Sequence, residues 1–258
     1  MSYFKINFQK KGGCAVVTLR ESLVSSSAAA DIRGAFQEIG QDADIKVAVL
    51  GGIPGGPFCS GADNREIAQM QKDGGIKPEQ LIDLFSAARA INSADKPVIA
   101  AITGDAFGQG LELALACDIR LAAPGARFGF PAESMKVFPF DGATQLLPRL
   151  VGKSQALEML LTGDIINAET AMRIGLVNQI VRERDVLAEA EELAAKMASR
   201  APISLRFAKE AVTKGMDMTL EQGLRLEGDL YFLMHTTHDR IEGITAFRQK
   251  RKPDFTGS

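Results

Sequence analysis

Three short apolar runs constrain this chain most: Ala15-Val-Val-Thr-Leu19, Val47-Ala-Val-Leu50 and Val98-Ile-Ala-Ala-Ile102. Each is brief and bounded by charge, Gly or Pro, the signature of a buried strand. Between them lie amphipathic helical patterns. In Gln80 to Ile91 the apolar positions 81, 84, 85, 88 and 91 follow helical spacing, which predicts one helix, and Lys96-Pro97 closes the unit before the next strand. Strands alternating with crossover helices specify a largely parallel sheet, hence an α/β core. From about residue 153 the strand signal almost disappears. Gln155 to Leu161, Ala168 to Arg173, Asp185 to Ser199, Ile203 to Thr213 and Thr219 to Met234 all carry helical patterning, separated by Gly or Pro. No internal repeat or low-complexity linker is visible, so a separate second domain is not required.

Composition excludes several classes. With 258 residues, 46% hydrophobic and 24% charged, the chain buries a sizeable core and is not disordered. Lys+Arg 30 against Asp+Glu 32 gives a net charge of -2. The short basic tail Arg248-Gln-Lys-Arg-Lys252 reads as a solvated helix end, so no nucleic-acid partner is expected. Cys14, Cys59 and Cys117 form no C-x-x-C pair, and His235 and His238 lack ligand-spaced companions, so neither a disulfide framework nor a metal site is expected. The N-terminus is not a signal peptide, and the apolar stretches stop well short of the roughly 18 residues of a membrane span. These features fit a reducing, cytoplasmic location.

Chemistry enters with Glu112, a lone carboxylate in Gly110-Leu-Glu-Leu-Ala-Leu-Ala-Cys117, preceded by Gly104-Asp-Ala-Phe-Gly-Gln-Gly110. An ionised side chain in an apolar helix loses several kcal/mol of hydration, roughly, unless a partner pairs with it or a reaction uses it. Glycines 108 and 110 would open the helix with bare backbone N–H groups, with Glu112 about one turn further along. Two readings stay open: a proton-handling acid beside polarising amides, or a buried acid satisfied by Asp118 or an Arg. Two more glycine- and proline-rich loops follow predicted strands, Gly51 to Arg65 and Phe128 to Thr144. Neither they nor the Glu112 loop is a Walker or Rossmann loop.

In their order and separation these loops resemble the crotonase (enoyl-CoA hydratase/isomerase) superfamily. The likeness continues through Lys96-Pro-Val-Ile-Ala-Ala-Ile102, Cys117-Asp118, Leu161-Thr-Gly-Asp164, Gly175-Leu-Val-Asn178 and the closing Glu242 to Phe255. The resemblance implies a spiral of ββα turns over 1–200 that binds acyl-CoA, and a helical C-terminal region over 201–258 that builds homotrimers or hexamers. It implies an acyl-CoA thioester as substrate, with no cofactor beyond the CoA that the substrate carries. It also implies an oxyanion hole from the backbone N–H groups of Ala62 and Gln109, where negative charge on the thioester oxygen is stabilised as it develops. Gln109 stands where the family usually has a small glycine, which narrows the hole or inserts an amide into it. Arg65, with Asp63 beside it, and Lys250 from a neighbouring subunit are the candidates for the CoA end.

One departure bears on the reaction. Family hydratases use two glutamates; the first maps to Glu112, but the second falls on Ala132. Glu133 is adjacent and points elsewhere unless the loop is re-registered. Asp141 offers another acid, at a position where some isomerases carry their base and a dehalogenase its nucleophile. Its bland reading is an N-cap for the helix that follows. The leading expectation is thus enolate chemistry, C=C hydration or double-bond migration, with Glu112 and Asp141 moving protons. The alternatives are hydrolase or dehalogenase-like attack by Asp141, or a non-catalytic CoA-binding or assembly subunit.

Overall fold

A computed structural model describes residues 3–72, 77–131, 138–182 and 185–258. The chain runs β1 (Ile6–Lys11), β2 (Cys14–Leu19), β3 (Leu23–Val24), α1 (Ser26–Gln41), β4 (Val47–Gly51), β5 (Gly61–Ala62), α2 (Asn64–Lys72), α3 (Pro78–Phe85) and α4 (Ala88–Asn92). It continues through β6 (Val98–Ile102), β7 (Ala106–Phe107), α5 (Gln109–Leu115), β8 (Ile119–Ala122), β9 (Arg127–Gly129), α6 (Ala143–Val151), α7 (Lys153–Thr162), β10 (Ile166–Asn167), α8 (Ala168–Arg173) and β11 (Gln179–Ile180). Four helices follow: α9 (Val186–Ala198), α10 (Pro202–Gly215), α11 (Leu220–Met234) and α12 (His238–Gln249).

The three runs read as strands are β2, β4 and β6, consecutive in a sheet of order β1-β2-β4-β6-β8-β11. All its pairings are parallel except that of β1 with β2. Their continuous apolar character has a direct cause, since both faces of the sheet are covered. Ala15, Val17, Ala48, Leu50, Ala100 and Ile102 point into the main core with Ile32, Phe36 and Ile39 of α1. The alternate residues Val16, Val47, Val49, Ile99 and Ala101 meet Val186, Ala190 and Ala194 of α9 on the opposite face.

A repeat absent from the sequence pattern emerges in the geometry. Each of β2, β4, β6 and β8 is followed by a very short strand (β3, β5, β7, β9) and then by helix. The short strands join one another: β3 pairs with β5, Cys59 just before β5 bridges to Ala106 of β7, and β7 pairs with β9. The result is the expected ββα spiral. Two-residue strands carry no readable periodicity, which explains why the sequence shows no repeat and why β10 and β11 escape it beyond residue 153.

The predicted helix over 80–91 is corrected to two, α3 and α4, broken at Ser86 and Ala87. Helical periodicity survives the break, but the freed amides are claimed by a carboxylate from elsewhere in the chain, described below. Helices α10 to α12 bury few of their own residues. Lys209 of α10 ties this region to the core, its ammonium 2.7 Å from Asp118 and 3.0 Å from the Lys96 carbonyl.

Candidate active site

The site grows from the start of α5. Gly108 takes φ +50° at the N-cap, a conformation that favours glycine. Gly110 has no room for a side chain: a Cβ there would lie 2.2 Å from the Cys59 carbonyl oxygen. That close approach is fixed by Cys59 N–H donating to Asp105 (3.0 Å) and Phe107 N–H donating to Cys59 (2.9 Å). Ala62 on β5, three residues beyond Cys59, is thereby held beside α5, and the two elements pack together. The first-turn amides of Gln109, Gly110 and Leu111 have no intrahelical partner and carry the positive end of the helix. Ala62 and Gln109 thus occupy neighbouring elements, as an oxyanion hole needs.

All seven residues of α5 are buried, and Glu112 is only 2% exposed. Its partner is neither Asp118 nor an arginine. Oε1 accepts from the backbone N–H groups of Asp141 and Ala143, each at 3.0 Å, while Asp118 serves Val98 N–H and Lys209. Burial pushes the Glu112 carboxyl up to about 7, helped by the nearby Asp141 charge and opposed by the amide donors. A buried acid poised near neutrality is suited to taking and returning a proton.

Asp141 is buried and fully engaged. Oδ1 accepts from the Ser86 hydroxyl (2.5 Å), and Oδ2 accepts from Ala87 N–H (2.8 Å), Ala88 N–H (2.9 Å) and the Gln109 side-chain amide (3.1 Å). Its reading as N-cap of the following helix is corrected: the N-cap of α6 is Gly142, with no side-chain cap, and Asp141 instead caps α4, more than fifty residues earlier. This is the carboxylate that breaks the 80–91 helix. The Gln109 amide also donates to the Phe85 carbonyl at 2.5 Å. It is therefore anchored in the wall of the site, while its Oε1 is buried with no partner among the described residues.

Ala62, Gln109, Glu112 and Asp141 are thus brought together. The CoA-end candidates are not joined to them in the same way. The Asp63 carboxylate is occupied at the start of α2, accepting from Arg65 N–H (3.0 Å) and Glu66 N–H (3.2 Å). Arg65 is exposed on α2. Lys250 lies at the C-terminal end of α12 with φ +55°, and no described contact links it to Arg65. Ala132 and Glu133 lie outside the described residues. Sequence reasoning missed Phe85, Ser86, Ala87 and Ala88, which act largely through backbone groups and leave no mark in residue type.

Residues 9–258 match the family model described as enoyl-CoA hydratase/isomerase. The chain belongs to that family. Among relatives of this enoyl-CoA hydratase/isomerase, a crotonyl-CoA hydratase of Syntrophomonas wolfei is 35% identical over 260 residues, 99% of each chain. A 2,3-dehydroadipyl-CoA hydratase of Escherichia coli is 42% identical over 200 residues, 78% of this chain and 77% of that one. The solved enoyl-CoA hydratase of Bacillus anthracis superposes with a TM-score of 0.90 at 34% identity, over 99% of this chain and 100% of that one. The protein is accordingly an enzyme of the enoyl-CoA hydratase/isomerase type, with an acyl-CoA thioester as substrate. No helix among the described residues is long and apolar enough to cross a membrane.

Proposed function

We propose that this enzyme moves a proton along the acyl chain of an enoyl-CoA, with Glu112 as its single proton carrier, and that double-bond migration outpaces hydration of simple straight-chain substrates. The observation that carries the reading is the contrast between the two acids. Glu112 is raised to about 7 and is ready to exchange a proton. Both Asp141 oxygens are instead already engaged, by the Ser86 hydroxyl, the Ala87 and Ala88 N–H groups and the Gln109 amide, which ties the carboxylate into the wall. The thioester oxygen sits on the N–H groups of Ala62 and Gln109. Glu112 takes a proton from the chain, the resulting enolate is stabilised by the two amides, and Glu112 returns the proton at another carbon. No cofactor or metal enters, because the thioester is itself the electron sink.

Hydration is the second reading, favoured by the hydratase names of the relatives. Water addition to a conjugated thioester uses the same oxyanion hole but needs the water gripped from a second side, and Ala132 offers no acid. Incubation of acyl-CoAs followed by chromatography and mass spectrometry separates the cases: an isomeric product of unchanged mass marks migration, and a product heavier by one water marks hydration. Absence of both isomerised and hydrated products across acyl-CoAs would reject the reading altogether.

Arg65 is proposed at the CoA phosphates, with Lys250 contributed by a neighbouring subunit and Asp63 holding the start of α2. A homotrimer or hexamer is supported by the apolar residues that α11 and α12 leave exposed, Phe232 at 74% and Phe247 at 85% among them. A cytoplasmic location is proposed because the three cysteines are free and buried.

A further inference from the structure

The side-chain oxygen of Gln109 is buried and accepts no hydrogen bond from any described residue. We infer that it is the resting place of the Glu112 proton: when Glu112 is neutral its O–H donates to Gln109 Oε1, which makes the Gln109 side chain a positioning group for the proton carrier. The inference rests on the reading of Glu112 above and says where the proton waits between leaving one carbon and reaching another.

Three observations carry it. The first is orientation. Gln109 Nε2 donates to the Phe85 carbonyl (2.5 Å) and to Asp141 Oδ2 (3.1 Å), groups that accept, so the amide cannot turn over and its oxygen is held on the other side. The second is closure. Gln109 is only 4% exposed and its Oε1 is sealed from solvent, so the donor it lacks must come from the protein. The third is the neighbour. Gln109 and Glu112 stand three residues apart on α5, a spacing that places side chains on one face. Both run to Asp141, Glu112 Oε1 to its N–H and Gln109 to its carboxylate. Because the amides of Asp141 and Ala143 both occupy Glu112 Oε1, a proton on Glu112 bonds to Oε2.

The transfer balances with the groups present. A C–H bond of the substrate breaks, its electron pair enters the enolate, the proton bonds to Glu112 Oε2, and the new O–H turns to Gln109 until the step is reversed at another carbon. Of the elements packed on α5, the strands β3, β5 and β7 carry no titratable residue, and Arg89 of α4 and Arg149 of α6 are exposed. The Cys59 thiol is pushed up to about 12 and stays neutral, which leaves Asp141 as the charge acting on Glu112. An acceptor for the neutral form adds to the effect of burial.

Infrared difference spectra between pH 5 and pH 9 test this on protein whose glutamines carry ¹³C at the side-chain carbonyl. A labelled band should move to lower frequency as Glu112 gains its proton, and Glu112→Gln should abolish that movement. This readout does not depend on the folding of any variant at position 109. Gln109→Met, which deletes the acceptor, should lower the acidic limb of kcat/KM by about one pH unit, a tenfold loss of proton affinity. A merely structural role would lower thermal stability and leave the infrared band absent from the wild type. Titration of Glu112 with no glutamine band, or a limb unmoved in folded Gln109→Met, overturns the resting place and leaves Glu112 as the proton carrier. Full turnover by Glu112→Gln overturns both.

Discussion

Asp141 divides its backbone from its side chain: its N–H donates to Glu112 Oε1 at 3.0 Å, while its carboxylate accepts from Ser86, Ala87, Ala88 and Gln109. One residue therefore holds the Glu112 carboxyl with its backbone and ties α4 and α5 together with its side chain. Burial above all, and the nearby Asp141 charge after it, drives Glu112 toward the neutral form.

The two acids should respond differently to amide replacement. Glu112→Gln removes the proton carrier and is expected to lower turnover by about 10² or more with little change in CoA affinity. Asp141→Asn keeps the backbone N–H but turns a donor toward other donors, so it should cost about 1–3 kcal/mol of stability and less than tenfold in turnover. Thermal unfolding and single-turnover kinetics measure both. A loss of turnover in Asp141→Asn as deep as that of Glu112→Gln, in a stable protein, would restore Asp141 as a proton carrier.

A pH dependence follows from the raised Glu112. Its ionised form is the base, so kcat/KM should rise through an acidic limb near pH 7. Stability moves the other way. The folded state holds this proton up to about 7, the unfolded state only to about 4.5, so the contribution is complete below 4.5 and is lost as pH climbs through 7. The full difference is at most about 3 kcal/mol. Denaturant titrations at pH 5 and pH 8 should show Glu112→Gln losing less stability than the wild type over that interval.

The amide of Ala62 is expected to matter while its methyl does not. Ala62→Gly should retain most activity, and Ala62→Pro, which deletes the N–H, should lower turnover by about 10² or more. Circular dichroism establishes that the variant is folded. Full activity in a folded Ala62→Pro protein would remove this residue from the oxyanion hole.

Light scattering should return a mass three or six times the 27.7 kDa of the chain. Phe232→Glu, which puts a charge on an exposed apolar face, should shift the distribution toward monomer. A monomeric wild type at micromolar concentration would contradict the proposed assembly.

The sequence made the strands of the main sheet and the helices beyond residue 153 legible because burial on both faces and amphipathic spacing each leave a strong pattern. Glu112 was legible for the opposite reason, as a charge that breaks an apolar pattern. The partners of Asp141 were not. Ser86, Ala87 and Ala88 bind it through a hydroxyl and two backbone amides from 53 to 55 residues away, and backbone donors have no residue-type signature. Helical periodicity runs straight through the break they create. The missing cap at α6 followed from the same cause, since the carboxylate expected there had a better use across the chain.

The crowding of α5 has a consequence for how such an enzyme can change. With Gly110 pressed against Cys59 and none of the helix's seven residues exposed, the backbone beneath Glu112 has no room to shift, and under the proposed mechanism the reacting carbon is brought to it. Choice among carbons and among substrates then falls to the surrounding walls, chiefly α4 and the start of α6. Variation confined to those walls should alter which molecule reacts and where along its chain, while the proton-handling apparatus is inherited unchanged.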